Sequence, residues 1–247
     1  MAYHCLTKYK DAGNCRTLRG EVLFYLFFVN EPGKRQWTDR AKQKVLDYCD
    51  DTATWMGMMA PKDLKMHWSW QDVSTDGPLT AKNRYEYGDR FAREKGCKSL
   101  MDLHNTILAR NRNLRHVAFI FVLRRRGTSY AGPSRDKSRN PGRPETLALY
   151  WDLRHSALMH EILHLFGAVD FYIPYKVEAA AKRYFPDSVM LDGANLGIDP
   201  LTQYLVGWRD DLTPEAQAML DATRDVTEEE VDQAREDLYK KMHITLS

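Results

Sequence analysis

The stretch His160-Glu-Ile-Leu-His-Leu-Phe-Gly-Ala-Val-Asp170 decides how the rest of the chain is read. Leu158, Ile162 and Leu165 recur at helical spacing, which predicts a helix with one apolar face. His160 and His164 are four positions apart, so their rings leave the same side of that helix one turn from each other. Two imidazoles so placed can share a tetrahedral zinc ion. Glu161 lies about 100° round from His160, where it is a poor ligand but can hydrogen-bond a zinc-bound water and take its proton. Gly167 ends the helix, because glycine enters the left-handed region without a Cβ penalty. The chain can then double back and bring Asp170 to the same metal as third ligand. Three protein ligands with a fourth position open are the pattern of a catalytic zinc site, not a closed structural one. Chance would give the His-Glu-x-x-His core at about the percent level in such a chain, and the full pattern with Gly167 and Asp170 roughly once in ten thousand.

Upstream, Thr146–Trp151 reads as a strand feeding this helix, with Asp152 placed to cap it. The segment 124–144 is rich in Gly, Pro, Ser and Arg and reads as a loop, with Thr128-Ser-Tyr-Ala131 as a short exposed edge strand. Earlier still, Glu21–Val29, Leu64–Val73 and His116–Leu123 are apolar or alternating runs that read as strands. Thr38-Asp39 opens a helix whose face holds Ala41, Val45, Leu46, Cys49, Ala53 and Met56, and Tyr85–Arg112 is helical with a break near Gly96. Strand and helix alternate, which predicts an α/β fold with a twisted mixed sheet. Downstream the chain turns helical: Tyr175–Tyr184, Asp199–Trp208 and two segments within Thr213–Met242.

The composition bounds the class. With 247 residues, 43% hydrophobic and 11% aromatic, the chain can bury enough surface to fold as one globular domain with a modest appendage. Its longest apolar run, Val22–Val29, is far short of the roughly 20 residues of a membrane helix. The first twenty residues hold no apolar signal core, and Cys5, Cys15, Cys49 and Cys97 form no Cys-x-x-Cys, so the expectation is a cytoplasmic protein with free thiols. The net charge is +2, but 124–143 carries seven basic residues against Asp136, and 210–247 carries eleven acids against Arg224, Arg235, Lys240 and Lys241. Solvated loops and helix faces produce such asymmetry more often than nucleic-acid surfaces do.

His160, Glu161, His164, Gly167 and Asp170, followed by Ser188-Val-Met190, resemble the extended motif and Met-containing turn of the metzincin clan of zinc peptidases. The likeness covers residues 116 to 195 and includes an edge strand ahead of an inner strand that leads to the zinc helix. It departs from most of the clan in having Asp170 where His is usual. The resemblance implies a zincin-like domain over 1–209, divided into an upper α/β part at 20–167 and a lower part at 168–209, with an acidic helical extension at 210–247. It implies one Zn²⁺ per chain on His160, His164 and Asp170, Glu161 as general base, and Met190 as a hydrophobic floor beneath the metal. The expected substrate is a protein or peptide lying along the edge strand near Tyr130 and Ala131.

Several blander readings stand beside this one. Met190 is one of ten methionines and could be core packing. Tyr172, Tyr175 and Tyr204 could each stabilise an oxyanion, but a half-buried packing role is commoner for any of them. His155 falls off the ligand face, and His4, His67, His104, His116 and His243 lack ligand spacing. Glu178 is a rival third ligand, although Gly167 would then have no purpose. A rival function is zinc-dependent RNA processing, since certain bacterial ribosomal-RNA maturation factors carry a similar His-x-x-x-His-x-x-Gly signature and the loop 124–143 could meet phosphates. Glu161 argues against it, because those factors have no Glu after the first His.

Overall fold

The computed structural model describes residues 4–132, 143–151 and 155–241. Five strands form one sheet: β1 (Glu21–Asn30), β2 (Lys65–Ser74), β3 (Leu114–Leu123), β4 (Tyr130–Gly132) and β5 (Thr146–Tyr150), in the order β2-β1-β3-β5-β4. All neighbours are parallel except β4, which runs antiparallel to β5 at the edge, with Ala131 opposite Leu147 and Gly132 opposite Thr146. Eight helices complete the described residues: α1 (Asp39–Met59), α2 (Arg84–Glu94), α3 (Leu100–Arg110), α4 (His155–Leu165), α5 (Tyr175–Tyr184), α6 (Pro200–Leu205), α7 (Pro214–Ala222) and α8 (Glu228–Lys241). The fold is mixed α/β. None of the helices among the described residues is long and apolar enough to cross a membrane.

The central strands read as unbroken apolar runs because both faces of the sheet are covered. Phe24, Leu26 and Phe28 of β1 join Ile120 and Val122 of β3 and Leu147 and Leu149 of β5 in one core cluster, under α1 and α4. The alternate residues Phe27, Val29, Phe119, Phe121 and Ala148 pack in a second cluster with Phe91 and Leu103 of α2 and α3. The period of two thus sorts each strand between two cores.

Side chains start the helices at the expected places. Thr38 Oγ1 accepts from the Ala41 N–H, and Thr213 Oγ1 from the Ala216 N–H. The proposed cap Asp152 lies outside the described residues. The buried face of α1 differs from the expected one: Lys42 and Thr52 are buried where Leu46 and Ala53 are only half-buried. Lys42 achieves this by laying its stem beside Trp70, its Nζ 4.8 Å from the ring centroid, and placing its ammonium 2.8 Å from Asp72. The break at Gly96 has φ +76, and the edge strand lies at Tyr130–Gly132, two residues later than the Thr128 start read from sequence.

The acid-rich segment from 210 onward shares the main core. Ala216, Met219, Leu220 and Val226 belong to the same cluster as α4, and His4 Nε2 reaches the Leu220 carbonyl at 3.0 Å.

Candidate metal centre

Helix α4 ends in two bonds that need a left-handed residue. The Gly167 N–H bonds the His164 carbonyl and the Ala168 N–H bonds the Leu163 carbonyl, both at 3.2 Å. Gly167 has φ +104, and a Cβ there would meet the Tyr9 carbonyl oxygen at 2.7 Å. The chain reverses, and Asp170 comes to face the helix it has just left.

Three donor atoms converge as a result. His160 Nε2 and His164 Nε2 lie 3.0 Å apart, and Asp170 Oδ1 lies 3.2 Å from the first and 3.0 Å from the second. In a tetrahedral zinc site with Zn–N near 2.0–2.1 Å the ligand atoms stand about 3.3 Å apart, so this triangle is close to one face of such a tetrahedron. When both rings are neutral, their tautomers also suit a metal. His160 Nδ1 lies 2.9 Å from the Val189 carbonyl oxygen, and His164 Nδ1 lies 2.9 Å from that of Ala168. A carbonyl only accepts, so in neutral rings each Nδ1 carries the hydrogen and each Nε2 turns a lone pair inward. Asp170 Oδ1 is buried and faces only the two Nε2 atoms, neither of which donates to it while the rings are neutral. Three such donor atoms facing one point suit a positive charge between them, either a metal ion or a proton that His160 shares with Asp170. No other group of three His, Cys, Asp or Glu side chains with this proximity occurs among the described residues.

Charge points the same way. All four motif residues are buried, none more than 9% exposed. Burial opposes charge on His160, yet the hydrogen bond and charge of Asp170, with Glu161 beyond, push its pKa up to about 9. Burial would likewise raise Asp170, but the two imidazoles hold it well below the usual carboxylate range. Glu161 is raised, chiefly by burial, against the pull of both imidazoles and of the Ala131 N–H at the β4 edge. Two carboxylates beside two imidazoles make a site whose charge a divalent cation balances.

The other residues singled out from sequence divide clearly. Met190 is fully buried, and its carbonyl accepts the Phe171 N–H at 2.9 Å, one residue after Asp170. Tyr172 stacks on His160, with centroids 6.2 Å apart and planes at 21°. Tyr175 is 83% exposed, and Tyr204 is buried with Lys10 Nζ 4.9 Å from its ring centroid. Glu178 pairs with Lys182 at 2.5 Å on the surface of α5 and is not part of the triangle. Arg124 bonds the Gln36 carbonyl and faces the rings of Trp37 and Trp151, and Arg125 pairs with Glu31 at 2.7 Å. Most of the remaining basic loop lies outside the described residues.

Sequence reasoning missed the carbonyls of Val189 and Ala168, which orient the two imidazoles. It placed Ser188 in the Met-containing turn but missed the role of its hydroxyl, which donates to Asp199 Oδ2 at 2.6 Å and accepts from the Met190 N–H at 3.1 Å. Asp199 in turn accepts from the Thr202 N–H at 2.8 Å and so ties the turn to α6. No family model, curated protein or solved structure matches this chain.

Proposed function

We propose that the protein is a zinc-dependent endopeptidase with a zincin-like fold, in which His160, His164 and Asp170 hold the metal and Glu161 is the general base. The observation that carries this reading is the triangle of three converging donor atoms, 3.0 to 3.2 Å apart, with a buried carboxylate beside it. When bound, zinc supplies a Lewis acid that polarises the scissile carbonyl and lowers the pKa of a water to roughly 7.

The remaining work falls to the chain. Among the described residues the edge strand β4 is paired on one side only, so an extended peptide can add to its other side through backbone hydrogen bonds. Helix α4 packs against β4 and so places Glu161 beside that edge, where it can take a proton from the attacking water. Its carboxyl group then delivers that proton to the leaving nitrogen as the peptide bond breaks. The carbonyls of Val189 and Ala168 keep both imidazoles from turning during these transfers.

The test is peptide cleavage by wild type and Glu161→Gln at matched zinc content. General acid–base catalysis is worth about 10² to 10⁴ in rate, and Glu161 serves in both directions, so kcat/KM should fall by about 10³ or more while zinc stays bound. Retention of more than roughly a tenth of wild-type kcat/KM, a loss under about 1.4 kcal/mol, would remove Glu161 as the base.

A further inference from the structure

The free edge of β4 carries a cluster of donors that the peptidase mechanism leaves unused. Arg84, at the start of α2, reaches across the end of the sheet, with Nε donating to Thr146 Oγ1 at 3.0 Å and Nη1 to the Ala81 carbonyl at 2.6 Å. Thr146 stands opposite Gly132, and the guanidinium lies so close to Gly132 that a Cβ there would fall 2.5 Å from Nη2. The absence of a side chain at this position is what lets the cation sit against the edge strand.

A second cation shares the spot. The Tyr85 ring centroid is 4.7 Å from Arg84 Cζ and 4.6 Å from Arg143 Cζ, and Arg84 Cζ is also 5.8 Å from the Tyr130 ring centroid. Tyr130 is 8% exposed, and the Arg84 guanidinium is a charged group beside it. Among the described residues no carboxylate pairs with either arginine. Two like charges on one ring repel. Arg84 already donates from Nε and Nη1, so the donors left for a ligand are its Nη2 and the exposed Arg143 guanidinium, and a carboxylate matches the fork of a guanidinium with two parallel hydrogen bonds.

We infer that Arg84 and Arg143, with Tyr130, form a subsite for an acidic side chain of a peptide extended along β4. The inference rests on the peptidase reading above. Side chains of an extended strand alternate between the two faces of a sheet at about 3.3 Å per residue. Helix α4 packs on one face, whereas α2 with Arg84 and Tyr85 belongs to the other, in the same cluster as Tyr130. Substrate side chains pointing away from α4 therefore meet the two cations. Gly132 lies in β4, the strand against which α4 with Glu161 packs. The acidic residue accordingly falls within about three residues of the cleaved bond, at alternate positions only.

The test uses zinc-loaded full-length protein and fluorogenic peptides that differ only by Glu or Gln, placed in turn at each of three positions on either side of the cleaved bond. The expected result is a preference of about tenfold or more for Glu at one position, the worth of a hydrogen bond to a charged group, weakening with added salt. That ratio should drop to within about twofold in Arg143→Gln, a change at an exposed side chain, and in Arg84→Gln. Binding of the same labelled peptides to Glu161→Gln, followed by fluorescence anisotropy, separates the two proposals. Cleavage with no Glu preference at any position overturns the subsite and leaves the peptidase reading standing. So does a preference that survives both arginine changes. If nothing is cleaved but the Glu peptide binds more tightly and loses that advantage in the Arg143→Gln background, the subsite stands and the peptidase reading falls. Equal binding, or none, overturns the subsite as well.

Discussion

His160 Nδ1 and the carbonyl oxygen of Val189 lie 2.9 Å apart, although 29 positions separate the two residues. The next carbonyl, that of Met190, accepts the N–H of Phe171 at the same distance. One turn thus grips the first ligand and the residue beside the third, and so sets the spacing between His160 and Asp170. The turn is itself held by Ser188, which bridges Asp199 and the Met190 N–H. Removing an outer-shell partner of a metal ligand typically costs 10- to 100-fold in affinity. Ser188→Ala is therefore expected to weaken zinc by about tenfold in chelator competition, with a stability loss of about 1 kcal/mol, since Asp199 keeps the N–H and hydroxyl of Thr202 as donors. Unchanged zinc affinity in a folded variant would show that the turn does not set the ligand spacing.

The ligand assignment has a sharper check. Wild type is expected to carry close to one zinc per chain, and His160→Ala, His164→Ala and Asp170→Ala each leave two donors, which cannot hold the ion against a chelator, so each variant should lose it. Glu178→Ala should keep it, because Glu178 pairs with Lys182 on the outer side of α5. Elemental analysis of the four proteins decides the matter, and zinc retained in Asp170→Ala but lost in Glu178→Ala would reverse the choice of third ligand.

Much of the fold was legible because its signals are local. The runs in β1 and β3 announce strands buried on both faces, and Thr38, Gly96, Gly167 and Thr213 mark helix ends by side-chain chemistry or by the lack of a side chain. The donor set His160, His164 and Asp170 was legible for the same reason, since helical spacing and one reversal fix it. What escaped was carried by backbone or by distance. The carbonyls of Val189 and Ala168 aim the imidazoles, and every residue has a carbonyl, so no letter marks them. The packing of α7 into the main core escaped because Ala216, Met219 and Leu220 sit within an acid-rich segment that reads as a solvated appendage. Arg84 meeting Gly132 depends on sheet order, which no local window contains.

Gly167 offers a stability test that is independent of metal. Its φ of +104 lies in a region that L side chains avoid, and a Cβ would press on the carbonyl oxygen of Tyr9 at 2.7 Å and approach that of Leu205 at 3.4 Å. Both neighbours are backbone and cannot swing aside. Gly167→Ala is expected to cost about 2–4 kcal/mol, combining conformational strain with the displaced N-terminal segment. Denaturant unfolding of the zinc-free protein measures it, and a loss below about 0.5 kcal/mol would mean that the helix end relaxes freely.

Glu145 supplies the pH dependence. It is 1% exposed, its Oε1 accepts the N–H groups of Asn14 at 2.5 Å and Cys15 at 3.0 Å, and its Oε2 has no partner. Burial raises its pKa above the ordinary 4.5, and the two N–H donors only partly offset that. A carboxyl group whose folded pKa is raised favours folding below the unfolded value, and that contribution disappears as pH climbs through the folded pKa. Glu145→Gln retains an oxygen for both N–H groups and cannot ionise. Its stability relative to wild type should therefore increase from pH 4.5 upward and level off once wild-type Glu145 is fully ionised. Thermal unfolding of the zinc-free proteins across pH 4.5 to 8 isolates this from the metal ligands, which are common to both. A difference between the two proteins that stays constant over that range would show that Glu145 does not change its charge on the folded protein within it.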